Sequence, residues 1–252
     1  MSPELKFNGQ TALVTGGTRG IGAAIAAALA QAGCQVIATG RDPAGVDRLN
    51  QDPAANHKGR VSYWAADFGE SASLNELLQR IQALNRLDVC VNNAGINIIK
   101  PFQEVSPEDF ALVDQVNLRA PFAIAQAAAR VMRRGGYGRI VNIASIWSVI
   151  TKPGRAAYTA SKHALAGLTK TLAVDLAAEG ILVNALSPGF TLTELTRASL
   201  SDQEMEQMST QVPLGRMARP EEMAQVALFL ASGMNTYLTG QNIVVDGGFT
   251  IV

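Results

Sequence analysis

At 252 residues the chain can bury a large core, and although 48 % of its side chains are hydrophobic, no run of about 18 apolar residues goes without polar interruption, so no membrane span is expected. Its 21 Lys and Arg balance its 21 Asp and Glu, which leaves no net field to recruit nucleic acid or an anionic membrane; a small molecule is the expected partner. Cys34 and Cys90 sit in apolar runs and His57 and His163 stand alone, a pattern that spells neither a disulfide framework nor a metal site, and the first ten residues hold no apolar leader core, which makes the cytoplasm the expected location.

The apolar run 11–14 reads as a strand and the Ala-rich run 21–32 as a helix, so Thr15-Gly16-Gly17-Thr18-Arg19-Gly20-Ile21-Gly22 is a strand-to-helix turn. Its glycines stand where a backbone must turn tightly, approach a pyrophosphate and let the helix pack on the strand, and the helix N-terminus then faces phosphate oxygens. Gly16, Thr18, Arg19 and Ile21 are the candidate contacts of a dinucleotide. A second strand over 34–39 ends in Gly40-Arg41-Asp42, where a dinucleotide site meets the adenosine ribose. An acidic side chain there accepts from a free 2′-hydroxyl, whereas an Arg pairs with a 2′-phosphate. Arg41, with Arg19 as a second cation, points to NADP, and Asp42 keeps NAD open. A third strand, 61–66, runs into Asp67-Phe68, whose carboxylate suits an adenine amino group; a helix over 71–84 follows with Ser71 as N-cap. The strand 87–91 continues into Asn92-Asn93-Ala94-Gly95, small and amide residues that let the main chain lie close to a ribose and nicotinamide. Ser106 and Pro107 open a long helical stretch containing Asn117, a buried amide that needs partners and can organise water or local backbone.

The run 139–144 is a buried strand that delivers Ser145 to its C-terminal end. Tyr158 and Lys162 follow four residues apart in an Ala-rich helical run, so both project from one face. An ammonium near a phenol lowers the Tyr pKa from its ordinary value of about 10, which suits a proton donor and acceptor. Trp147, two residues after Ser145, is placed to line a substrate pocket. The strand 181–186 leads to Pro188-Gly189-Phe190-Thr191, an irregular turn rich in hydroxyls; the polar, Met-rich segment 194–212 is a candidate substrate lid; a helix over 220–232 and a strand over 242–245 close the chain. Strands alternate with helices throughout, without a linker or repeat, which predicts one α/β domain over 1–252, a Rossmann-type doubly wound parallel sheet with helices on both faces. Its strand ends gather the glycine turn, Asn93, Ser145 and Pro188 along one edge.

Taken together, residues 15–22 as TGxxxGxG, 92–95 as NNAG, Asn117, Ser145, the Tyr158-x-x-x-Lys162 pair and Pro188-Gly189 resemble the short-chain dehydrogenase/reductase family over nearly the whole chain. That resemblance implies that Tyr158 is the acid and base, Ser145 hydrogen-bonds the reacting oxygen, Lys162 holds the nicotinamide ribose and lowers the Tyr pKa, and Asn117 anchors a water. It implies further cofactor contacts at Asp67, Phe68, Asn93, Ala94, Gly95, Pro188, Gly189 and Thr191, and a homotetramer. Within the family the chain is similar to 3-oxoacyl-(acyl carrier protein) reductases, with sugar or hydroxyacid dehydrogenases as the alternative. The segment 171–176 lacks the Arg with which those reductases dock their carrier protein; a basic cluster, Arg130, Arg133 and Arg134, is left. A nucleotide-sensing module without turnover is the alternative of another class, and it would not need Tyr158 and Lys162 together.

Overall fold

Seven short apolar runs become the strands of one sheet: β1 Thr11–Val14, β2 Gln35–Gly40, β3 Val61–Ala65, β4 Val89–Asn92, β5 Gly138–Ile143, β6 Ile181–Pro188 and β7 Asn242–Val245. All pair in parallel, in the order β3-β2-β1-β4-β5-β6-β7. A parallel sheet is covered on both faces, which is why β4 and β5 are buried at every residue and read as apolar runs rather than alternating ones. The structure, a computed structural model, describes residues 5–199 and 201–252. Positions 1–4 of the segment read for a leader, and position 200 of the 194–212 segment, lie outside the described residues.

Helices α1 Gly20–Gln31 and α9 Pro220–Ala231 cover one face, burying Ile25, Leu29, Met223 and Leu230 against β1, β2 and β5. Helices α3 Ser71–Gln82, α5 Ala120–Gly135 and α6 Ala156–Leu176 cover the other with Leu77, Ile81, Ile124, Met132 and Ala173. The chain steps outward from β1 to β3 and then returns to pair β4 with β1, so the direction reverses between β1 and β4 and opens a crevice at their C-terminal ends.

Three local features differ from expectation. Residues 43–51, Pro43–Gln51, form a helix, α2, that the sequence reading left out. Helix α3 begins at Ser71 itself with Glu70 in the cap position and no side-chain cap; the nearby hydroxyl that is used, Ser73 Oγ, accepts from the Asp67 amide at 2.9 Å. The long helix after Ser106 is α4 Pro107–Asp114, a π-helical turn over Gln115–Arg119, and α5, with Asn117 in the π-turn.

One buried cation ties the far end of the sheet together. Arg139 on β5, 6 % exposed, donates to the carbonyls of Gly138 at 2.8 Å, Asn235 at 2.9 Å, Ser232 at 3.3 Å and Gly180 at 3.4 Å, and covers the Tyr137 ring at 4.4 Å. No carboxylate pairs with it among the described residues, so the carbonyls and the Tyr137 ring compensate for its burial. Arg139→Met fills the volume but removes all four side-chain bonds, leaving the Ser232 and Gly180 carbonyls only their backbone partners, and is expected to lower the urea unfolding free energy by about 3 kcal/mol or more. A midpoint within error of the parent would show that the carbonyls find water instead.

Candidate active site

The crevice is built by two loops that hold each other. Thr15 Oγ1, at the end of β1, accepts from the amides of Asn93 at 2.9 Å and Ala94 at 3.0 Å. Asn93 Nδ2 in turn donates to the carbonyls of Thr15 at 2.9 Å and Gly16 at 3.1 Å. The loops approach so closely that a Cβ on Gly22 would stand 2.3 Å from Asn93 Nδ2, and one on Gly17 2.8 Å from the Ala38 methyl. Gly16 and Gly20 adopt φ of +62° and +58°, where any other residue is strained. Arg19 occupies the cap position of α1 without a side-chain bond, so the helix enters the crevice uncapped.

These elements border a cavity of about 460 Å³. Gly16, Thr18, Arg19, Ile21, Arg41, Asp67, Phe68, Asn93, Ala94 and Gly95, the candidate contacts read from the sequence, all line it. Arg19 and Arg41 are exposed and take no carboxylate partner among the described residues. Asp42 is committed elsewhere: it caps α2, accepting from the amides of Ala44 at 3.2 Å and Gly45 at 3.0 Å, with Arg48 at 3.7 Å. Asp67 spends one oxygen on the Gly69 amide at 2.9 Å.

The Tyr158 edge adjoins the cavity through Gly95. A Cβ there would lie 3.3 Å from Asn117 Oδ1 and 3.6 Å from Lys162 Nζ. Asn117, fully buried, accepts from the Ile96 amide at 2.8 Å and donates to the Ile96 carbonyl at 2.9 Å and to Ser161 Oγ at 3.1 Å. Both its N–H donors are used, so only a lone pair of Oδ1 is left for a water; of the two roles read from the sequence, the side chain performs the organisation of local backbone. Lys162, 3 % exposed, donates from Nζ to the Ile143 carbonyl at 2.8 Å and stands 5.5 Å from the Tyr158 ring centroid. Behind it, Asn92 Nδ2 donates to Asn142 Oδ1, Asn142 Nδ2 to Thr169 Oγ1, and Thr169 Oγ1 to the Leu165 carbonyl, each at 2.9 Å. This chain pins α6 to β4 and β5.

Ser145 follows β5, 8 % exposed, and accepts from the Trp147 amide at 3.3 Å. Its carbonyl accepts from Ser148 Oγ at 2.7 Å, and Ser148, Ser187 and Asn242 close a side-chain network at 2.6 to 2.9 Å that joins the strand ends of β5, β6 and β7. Sequence reasoning passed over these residues and Ser161 and Thr169, because single hydroxyls and amides inside apolar runs carry no spacing signal; Thr15 was read as part of the glycine turn, without its role in holding Asn93. Pro188, Gly189 and Thr191 do not line the cavity: Thr191 is buried with its hydroxyl on the Gly189 carbonyl at 3.1 Å, and a Gly189 Cβ would collide with Asp246 at 2.6 Å. Thr193 and Glu194 face the cavity in their place. Trp147, 8 % exposed, lies outside the cavity lining, with Lys152 and Arg155 over its ring.

The expected depression of the Tyr158 pKa by Lys162 is not met. Burial pushes the phenol above its ordinary value, and the groups that pull it back are the Ser145 hydroxyl and the Arg155 charge. Burial also pushes the Lys162 ammonium down to about 8. The expectation assumed a solvated ammonium beside the phenol, whereas Lys162 is sunk to the Ile143 carbonyl, where desolvation dominates.

A family model described as enoyl-(acyl carrier protein) reductase matches residues 16–250. A 3-oxoacyl-(acyl-carrier-protein) reductase of Aquifex aeolicus is 40 % identical over 97 % of this chain and 99 % of its own. A gluconate 5-dehydrogenase of Gluconobacter oxydans is 35 % identical over 99 % of this chain and 98 % of its own. The chain belongs to the short-chain dehydrogenase/reductase family. A gluconate 5-dehydrogenase of Burkholderia cenocepacia, solved with NADP and tartrate, superposes with a TM-score of 0.90 at 34 % identity, covering 99 % of this chain and 98 % of that one. As a member of the family, the protein is a nicotinamide-dependent oxidoreductase acting on CH–OH and carbonyl groups. The crevice fits that cofactor: glycines that admit no Cβ, an uncapped helix end and two unpaired arginines suit a phosphate-bearing dinucleotide.

The lowered Lys162 pKa has a stability signature. Between about 8 in the folded chain and its ordinary 10.5, the unfolded chain holds the proton and the folded chain sheds it, so stability rises with pH through this window and the contribution is absent below it. The parent minus Lys162→Met difference in unfolding free energy, measured from pH 7 to 9.5, is expected to be flat at first and then to rise. A difference curve without slope above pH 8 would refute the buried, deprotonating lysine.

Proposed function

We propose that the protein is an NADP(H)-dependent oxidoreductase that interconverts a ketone and a secondary alcohol on a small molecule, with Tyr158, Ser145, Lys162 and Asn117 as its working residues. The observation that carries this is the packing of Gly95 against both Asn117 and Lys162, which joins the glycine-lined cavity to the Tyr158 edge. Bound nicotinamide would supply or accept the hydride. In reduction the Tyr158 phenol gives its proton to the carbonyl oxygen, and in oxidation the phenolate takes it back. The raised pKa keeps the phenol protonated at neutral pH, ready to donate. Ser145 Oγ donates to the same oxygen and fixes it beside the phenol. Lys162, still mostly an ammonium at pH 7, stabilises the phenolate once it forms and would hold the nicotinamide ribose of a bound cofactor. Asn117 acts by position, holding Ile96 and Ser161 so that Gly95 and α6 keep their places.

NADP over NAD is supported by the free Arg41 and Arg19 and by the commitment of Asp42 to the cap of α2. The NADP in the Burkholderia cenocepacia structure agrees. The segment 194–212, made of α7 Glu194–Ser199 and α8 Asp202–Thr210, serves as the substrate lid; α8 buries no residue, and Glu194 stands at the cavity. Carrier-protein docking finds little support, since Arg133 pairs with Glu179, Arg134 with the Gln82 carbonyl and Arg130 with Gln126. The reading includes a cytoplasmic homotetramer, in which contact between copies would cover exposed Phe110, Phe122 and Val174.

Tyr158→Phe is expected to keep NADPH binding and to lower kcat/KM at least about 100-fold; undiminished turnover would sink the assignment. The cofactor choice is tested by dissociation constants for NADPH and NADH. The phosphate-bearing form should bind tighter, and Arg41→Asp should reverse the order; equal binding in the parent would refute NADP.

A further inference from the structure

Two cations stand beside the Tyr158 site with nothing to answer their charge. The Arg155 guanidinium carbon lies 5.8 Å, and Lys152 Nζ 5.5 Å, from the centroid of the Trp147 ring. Neither has a carboxylate within ion-pair distance among the described residues. Arg155 is half-buried, and its Nε is shut off from solvent without a hydrogen-bond partner. Burial pushes both groups toward their neutral forms, and the charge of Arg155 pushes Lys152 further.

Their placement is that of a substrate contact. Arg155 occupies the cap position of α6, three residues before Tyr158, and its charge acts on the phenol. Gly154, at φ +78°, leaves its Cβ position 3.2 Å from Ile99 and 3.7 Å from the Lys100 carbonyl, so the 152–155 loop lies against the segment whose Ile96 and Ile98 line the cavity. Lys100, whose carbonyl meets that loop, has its own acid: its ammonium pairs with Asp109 at 2.5 Å, and Asp109 also accepts from the Ser106 amide at 3.1 Å. Two like charges drawn partly out of water, one with a buried unpaired donor, cost stability unless an anion completes them. The planar fork of a guanidinium, steadied over an indole, matches a carboxylate through two parallel hydrogen bonds.

The geometry points to Arg155, with Lys152 behind it, as the site that grips a carboxylate of the substrate itself, so that the molecule turned over at Tyr158 is a small hydroxy acid or keto acid. This rests on the reading of Tyr158 as the acid and base. The neutral 3-oxoacyl thioester, which offers no anion at that position, is then the poorer substrate.

Matched pairs test it: acetoacetate against ethyl acetoacetate and acetoacetyl-N-acetylcysteamine for reduction with NADPH, and gluconate against sorbitol for oxidation with NADP. The acid of a pair is expected to have the higher kcat/KM. Arg155→Gln should raise KM for the acid about 10- to 100-fold while kcat moves far less, the loss typical of one charge-assisted contact. The acid-to-neutral ratio should collapse, and Arg155→Lys should restore part of it. NADPH binding by each variant reports an intact fold; if Arg155→Gln fails that control, the exposed Lys152→Gln carries the comparison, with a smaller fall in the ratio. Neutral members favoured in the parent, or a ratio indifferent to the substitutions, would overturn the inference. If every compound is inert while NADPH binds, it is the Tyr158 reading that fails. Calorimetry then decides the carboxylate site alone: gluconate bound where sorbitol is not, and weakened by Arg155→Gln, upholds it, and no gluconate binding ends it.

Discussion

The interlock of Thr15 and Asn93 is the contact on which the rest of the site depends. Four hydrogen bonds between the ends of β1 and β4 bring two loops so close that only glycine fits at position 22. The topology makes this possible, because β1 and β4 are neighbours where the strand order reverses. The same bonds fix Gly95, two residues beyond Asn93, against Asn117 and Lys162. The glycine-lined cavity on one side and the Tyr158 edge on the other are therefore set by one piece of backbone geometry.

Behind that edge the helix α6 is held by polar contacts rather than by apolar packing alone. The relay from Asn92 through Asn142 to Thr169 gives a register to a helix that shape would fix only loosely, since small alanines along it could slide. Lys162 is the least compensated member of this scheme: its ammonium donates to the Ile143 carbonyl, and burial brings its pKa to about 8. A lysine so poised responds to any negative charge that approaches, and the phenolate formed at Tyr158 is such a charge.

Much of this was legible in the sequence, and the reasons are specific. The central parallel strands are buried on both faces and so apolar nearly throughout, and the edge strands β3 and β7 still read as short apolar runs, so all seven were found, with ends displaced by a residue or two. Glycine spacing betrayed the cradle because sterics leave no substitute there. Helix α2 was missed because Pro43 and Gly45 read as a turn, although Pro at the first position and Asp42 as cap are what start a helix. The π-turn around Asn117 has no residue signature. Thr191 and Thr193 could not be told apart, since a two-residue offset in an irregular turn decides which hydroxyl meets the cavity. The direction of the Tyr158 shift was misjudged because spacing on a helix places Lys162 near the phenol and says nothing of how deeply both are buried.

The fold is shared by relatives named for thioester and for sugar-acid chemistry, so the distinction between such substrates has to reside in side chains the fold does not require. Within residues 146–155, Lys152 and Arg155 meet that condition. Ser145, Tyr158 and Lys162 at the two ends of that stretch are tied into the sheet and α6, whereas Lys152 and Arg155 cap no helix with a side chain and pair with no acid among the described residues. A charge that serves the fold finds its partner within the fold, as Arg139 does with four carbonyls. A charge left without one, half-buried beside Tyr158 as Arg155 is, has its partner, on the reading proposed above, in the molecule that binds there.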